Sequence, residues 1–219
     1  MTTTENRSAG WAGVLFVALL NAVLFAPGAP PKANQSAAAI AASLADDRTV
    51  ILAGTFVAGL ASICAIWFFT AIPAWVRAGD GSGDAAATAA AGGGLFAVML
   101  ILVGLLLFFG ATFDATVRGS LPTVRAFTDA GNATIEMSKF GTVLFVGGLL
   151  AATRGTDLLP RPIRVWGAVA IPVALISAVA LFSRGDLTQF GGPLDLLGGG
   201  PAVAWILAVA IVQIRRPAP

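Results

Sequence analysis

The chain of 219 residues has no histidine, no tyrosine and a single cysteine, Cys64. Without imidazole there is no bis-histidine haem and no imidazole-bound zinc. A serine–histidine hydrolase is excluded for the same reason. One thiol makes neither a CxxC redox pair nor an intrachain disulfide. Lysine is nearly as scarce. Lys32 lies in a connection and Lys139 near a span end, so neither is placed to form a Schiff base with retinal deep in a span. No GxxxxGK[ST] or GxGxxG run occurs to cradle a phosphate. The expectation is a protein without metal or cofactor, and not an enzyme.

Charge is scarce too. Only 11% of residues are charged, against about 25% in a soluble domain. The net charge of +2 is spread along the chain without a basic cluster, which argues against a nucleic-acid partner. What is abundant is apolar: 57% hydrophobic residues and a mean hydropathy of +0.87. So few charges cannot cover a soluble domain of this size. The fold class expected is all-α, a polytopic membrane bundle. The 44 Ala, with 11 Arg against 2 Lys, point to a GC-rich bacterial genome.

A span needs about 20 mostly apolar residues to cross roughly 30 Å of hydrocarbon. Six stretches are read as spans: 9–25, 50–75, 91–113, 133–153, 165–182 and 200–214. The first has the form of a signal peptide, but Pro27, Pro30 and Pro31 crowd the cleavage region, so it is read as a retained span. The fourth has a short uncharged core, Phe140 to Thr153. It reaches spanning length only by recruiting Glu136 and Lys139 into its first turns. The whole chain is one membrane domain, with short interfacial helices expected in the outer loops. Ser36 is the expected N-cap of one of these. Leu121, Val124 and Phe127 mark a second, and Leu187, Phe190 and Leu194 a third. Packed together they would lie on the membrane surface or form a lid over the bundle. Gly92 to Gly94 and Gly198 to Gly200 read as flexible lead-ins to helices.

With six spans both termini share a side. That side holds Arg7, Arg77, Arg154, Arg161, Arg164, Arg215 and Arg216. The other holds Lys32, Arg48, Arg118, Arg125, Lys139 and Arg184. The first set sits in short connections and tails, where the positive-inside rule applies best, so both termini are expected in the cytoplasm and the protein in the bacterial plasma membrane. Trp11, Trp75 and Trp166 fall at the cytoplasmic ends of their spans, as an interfacial belt would, while Trp205 is placed near the other face.

Helices in lipid associate through small residues. Gly54, Ala58 and Ser62 recur at four-residue intervals in the second span. Gly147 with Ala151 and Gly148 with Ala152 do so in the fourth, Ala170, Ala174 and Ala178 in the fifth, and Gly200, Ala204 and Ala208 in the sixth. Pro172 removes a backbone donor in mid-span and kinks the fifth helix. The candidate polar site is Asp114, Glu136 and Lys139, with Asp129 and Asn132 just before them. Glu136 and Lys139 are one turn apart and can pair. In one reading they lie at the outer interface, where Lys139 snorkels to the headgroups. In the other, the three ionisable groups line a pocket that opens outward.

Four stretches, "SAAAIAASLADDR", "LPTVRAFTDAG", "AATRGTDLLPRPIRVWG" and "AWILAVAIVQIRR", carry a resemblance to a family of uncharacterised six-span membrane proteins of high-GC Gram-positive bacteria, known as a domain of unknown function. The resemblance implies six spans and brings no activity or site residue with it. Two functions are expected. The first is a non-catalytic accessory or structural subunit that packs against lipid or a protein partner. The second is a small-solute or lipid transporter using the outer ends of spans three and four. The layout predicts that cysteines placed at Asp80 and Phe190 react with an impermeant maleimide from opposite sides of the membrane. Labelling of both from one side would defeat the six-span layout.

Overall fold

The computed structural model describes residues 3–25, 35–79, 83–117, 119–179 and 193–215. Every element is a helix: α1 (Thr3–Phe25), α2 (Ala37–Asp46), α3 (Arg48–Ala78), α4 (Asp84–Val117), α5 (Leu121–Ala152), α6 (Arg161–Ser177) and α7 (Pro193–Arg215). Five helices are long and apolar enough to cross a membrane, Thr4–Leu24, Arg48–Ala78, Asp84–Thr116, Leu121–Ala152 and Leu196–Arg215. The expected fifth span is α6, which has 17 helical residues, or about 26 Å at 1.5 Å per residue. It falls short of the other five. The remainder of the 165–182 stretch beyond residue 179 lies outside the described residues, as does Phe190.

Six helices pack as a closed ring in the order α1, α3, α4, α5, α6, α7 and back to α1. Neighbours in the ring are neighbours in sequence, and α1 against α7 closes it. Gly10 of α1 lies against Ala210 and Ile214 of α7, so the start of α1 and the end of α7 share one end of the bundle, the near end. The opposite end is the far end.

The tightest contact is α4 against α5. A Cβ on Gly141 would lie 2.7 Å from Ala97 N and from Gly93 O. A Cβ on Gly148 would lie 2.9 Å from Ala86 O and Ala90 N, and one on Gly131 3.1 Å from Gly104 O. Only glycine lets two backbones come this close. These contacts also fix an antiparallel register in which residue 93 faces 141 and residue 104 faces 131. Gly92 to Gly94 are therefore part of the packed helix α4, not a flexible lead-in, and Gly94 additionally seats the ring of Phe69. Gly198 to Gly200 lie inside α7, where a Cβ on Gly198 would overlap the side chain of Ser177.

The expected small-residue faces point inward only in part: Ala151 on α5 and Gly200 and Ala204 on α7 are exposed. Ala58 is buried and Gly54 lies 3.8 Å, at its Cβ position, from Val23 of α1. Ser62 and Ala58 line a shallow apolar crevice between α1, α3 and α4, with room for about 10 Å³. Ala170 and Ala174 are buried on α6 and Ala178 just past its end, and Gly147 faces Ile171 across the α5–α6 contact.

Five rings lock the centre. Phe69 meets Phe16 at 5.9 Å, Phe68 at 5.0 Å and Phe145 at 4.8 Å, and Phe145 meets Trp205 at 5.6 Å, all edge to face. This geometry sets a positive ring edge on a negative ring face, and it ties α1, α3, α5 and α7 together. Trp205 is fully buried and donates its indole N–H to Ile163 O at 2.8 Å. It lies in the core beside the start of α6, not near the outer face. Trp75 is also fully buried, whereas Trp11 and Trp166 are exposed as a belt requires.

The first outer connection does form a helix. Ser36 caps α2 by accepting from Ala39 N at 3.2 Å, and Ile40 and Leu44 bury themselves against Phe108, Ala111 and Val124. The second expected interfacial helix is corrected: Leu121, Val124 and Phe127 belong to the first turns of α5. Of the third, Leu187 and Phe190 lie outside the described residues.

The α4–α5 contact yields a graded prediction. Gly141→Leu and Gly148→Leu force the two backbones apart and lower the Tm in detergent by several degrees. Gly59→Leu has open space around it and leaves the Tm within about 2 °C, as surface substitutions do.

Candidate polar site on α5

The helix that carries the expected site is longer than its apolar core implied. α5 begins at Leu121, twelve residues before the expected start at residue 133, with Pro122 in its first turn. Pro is well placed there because its missing N–H would be unpaired in any case. Glu136 is therefore the sixteenth of 32 helical residues. It sits at the middle of the helix, not in its first turns.

Arg125, Asp129, Asn132, Glu136 and Lys139 follow one another at spacings of four, three, four and three. That spacing places them on one face of α5. The face spans about 21 Å along the axis. At the far end Arg125 bonds Asp129 at 2.8 Å and Gln35 O, just before α2, at 2.7 Å. Deeper, Lys139 pairs with Glu136 at 2.5 Å, with side chains only 10% and 2% exposed. The Lys139 ammonium also reaches Ser177 O, at the C-terminus of α6, at 3.5 Å. A helix C-terminus carries partial negative charge, so α6 ends where a cation is needed. Lys139 is buried by protein, with its ammonium turned to Glu136 and Ser177 and not into solvent.

Asp114 does not join this pair. The α4–α5 register sets it opposite residues 121–124 of α5, about 20 Å along the axis from Glu136. It is buried at 6% exposure in the last turns of α4, and its Oδ2 atom has no hydrogen-bond partner. Asp129 lies between the two levels and is half-exposed. The expected cluster of three thus divides into a far-end carboxylate and a mid-helix ion pair.

Asn132, expected with Asp129 just before the pair, belongs to the same face. It is 7% exposed and its Oδ1 has no hydrogen-bond partner. Thr128, one turn further out, is also buried and satisfies itself by donating to Val124 O at 2.8 Å. The signal for one continuous face was present as a polar line at helical spacing, hidden because the stretch was divided between a loop and a span. Pro172 is confirmed inside α6, and Pro73 and Pro201 lie inside α3 and α7 as well. Among the described residues no group of three Asp, Glu, Cys or His side chains comes together as a metal site would require.

Comparison with protein-family models, with curated proteins and with solved structures finds no match to this chain.

The ion pair predicts a non-additive pattern of stability. Breaking a buried pair from one side typically costs about 3–5 kcal/mol, whereas replacing both partners by apolar groups is often close to neutral. Lys139→Met alone is expected to lower the Tm more than Glu136→Leu with Lys139→Met together. Equal and additive losses in thermal denaturation would show that the two side chains act independently.

Proposed function

We propose that this chain is a six-span protein of the bacterial plasma membrane, with both termini cytoplasmic, that binds a small polar solute against the polar face of α5 and carries it across. The observation behind this reading is the Glu136–Lys139 pair, buried halfway along a helix long enough to span. An ionisable group at such depth is costly and as a rule lies where a substrate, ion or proton passes. In this reading α6 is the sixth crossing, held between α5 and α7. The layout of the family that the chain resembles supports that count. Pro172 lies five residues before Ser177 and leaves the carbonyl one turn earlier without its helical donor. A bend there moves the Ser177 carbonyl relative to Lys139 and offers α6 as the moving element.

A second reading, a non-catalytic subunit that packs against a partner, rests on the outward face of α3. Of the five long apolar helices α3 is the least covered by the rest of the chain. Phe56, Leu60, Ile63 and Trp67 are exposed along one line, with Gly59 open among them. Trp67 lies about 15 Å along the axis from Arg77, far from the interface where tryptophan is favoured. A protein surface suits that indole better than lipid tails do.

The readings separate by binding. The purified protein is screened by thermal shift against small amines, amino acids and sugars, beside Glu136→Gln and Lys139→Met variants that remain folded. The transport reading predicts a stabilising solute whose effect is lost in both variants. A solute that stabilises all three alike removes the α5 face as its site. A stoichiometric protein partner retained in mild detergent, and lost on Trp67→Leu, is the result that the subunit reading predicts.

A further inference from the structure

Two fully buried carboxamides lie at the near end, on α1 and α7. Asn6 of α1 and Gln213 of α7 are each 0% exposed. Neither carboxamide has a hydrogen-bond partner at its nitrogen or its oxygen. A buried amide bears two donors and an acceptor of two lone pairs, and leaving them unmet is unfavourable in a medium of low dielectric.

The packing of α1 and α7 brings the two together. Asn6 shares its buried face of α1 with Ala9, Gly10 and Gly13. Gln213 shares its buried face of α7 with Ile206, Val209 and Ala210. The contacts of Gly10 with Ala210 and Ile214, and of Gly13 with Ala210, set Gln213 level with about residue 10 of α1. Asn6 is one helical turn nearer the end, about 6 Å along the axis. One interposed molecule can therefore meet both carboxamides. It must be small and neutral, and must both donate and accept, because each amide does both.

We propose that the near ends of α1 and α7 enclose a binding site for a small neutral donor–acceptor molecule, of which water is the smallest, held by Asn6 and Gln213. A buried water makes about three hydrogen bonds, and two carboxamides can supply them. The site lies on the opposite side of the aromatic cluster from the Glu136–Lys139 pair. Gln213 is eight residues, about 12 Å, beyond Trp205 on α7, and Lys139 is six residues, about 9 Å, from Phe145 on α5. The bundle then holds a polar site on each side of a dry aromatic centre. The inner site stands on its own observations, whether or not α5 binds a solute.

The test is a structure of the full chain in a lipid nanodisc at a resolution that shows ordered water, with the Tm of a Gln213→Leu variant. The expected result is density within hydrogen-bond reach of both carboxamides. The Gln213→Leu variant should melt about 2–4 °C lower, the shift that losing a single hydrogen bond brings in a chain of this size. Mass spectrometry of the denatured protein separates the occupants. An organic molecule released upholds the site with a larger solute, and none released with density present assigns water. Asn6 and Gln213 bonded directly to each other with nothing between them, or a Gln213→Leu variant that melts higher, would overturn the proposal.

Discussion

Two helices surrounded by lipid gain little from hydrophobic burial against each other, because the tails are as apolar as their side chains. They gain from close backbone approach, and that is possible only where no Cβ intervenes. The contact of α4 with α5 is of this kind along its whole length, through Gly93 and Gly104 on one helix and Gly131, Gly141 and Gly148 on the other. The rest of the structure follows from it. The contact uses one face of α5 and so commits the remaining faces. Phe145 is directed to the aromatic centre, and the line from Arg125 to Lys139 lies on the side where Gly147 and Lys139 meet α6. The same register carries Asp114 away from Glu136.

A buried ammonium in such a bundle must be answered on every side. Lys139 is answered by the Glu136 carboxylate one turn before it and by the carbonyl end of α6. Neither partner alone offsets the loss of water around an ion, since desolvation costs several kcal/mol per charge. The length of α6 matters for this reason. A helix continuing past Ser177 would satisfy that carbonyl within itself and withdraw it from the lysine. The mid-depth charge, the helix terminus and the proline five residues earlier form one connected arrangement, and this is the physical content of the solute-binding proposal.

Much of the fold was legible in the sequence because bilayer thickness makes long apolar runs diagnostic. α1, α3, α4 and α7 were found with their cores in place, and Ser36 announced the cap of α2. The boundary of α5 was not legible. Its far half carries Arg125, Asp129 and Asn132, and hydropathy reads such a stretch as loop even when one face of a continuous helix bears all the polarity. Of the glycine contact only Gly148 was expected, and the rest was missed for a related reason. Small residues were sought four apart, whereas Gly141 and Gly148 stand seven apart and Gly131 ten before Gly141. Glu136 and Lys139 could be paired from their spacing, but their depth could not, because depth depended on where the helix began. Asn6 and Gln213 gave no signal at all. A polar residue near a span end is ordinarily solvated, and only the packing of α1 on α7 buries these two.

The register of α4 on α5 is the claim on which the depth of the ion pair and its separation from Asp114 both rest. Phe96 and Phe140 are exposed and lie at one level in that register, whereas Phe113 lies about 25 Å further toward the far end. The direct measurement replaces Cys64 by alanine, places cysteines in pairs at 96 with 140 and at 113 with 140, and treats intact membranes with a short bifunctional thiol reagent. The account predicts rapid intramolecular cross-linking of the first pair and none of the second. Cross-linking of the second pair in preference to the first would contradict it.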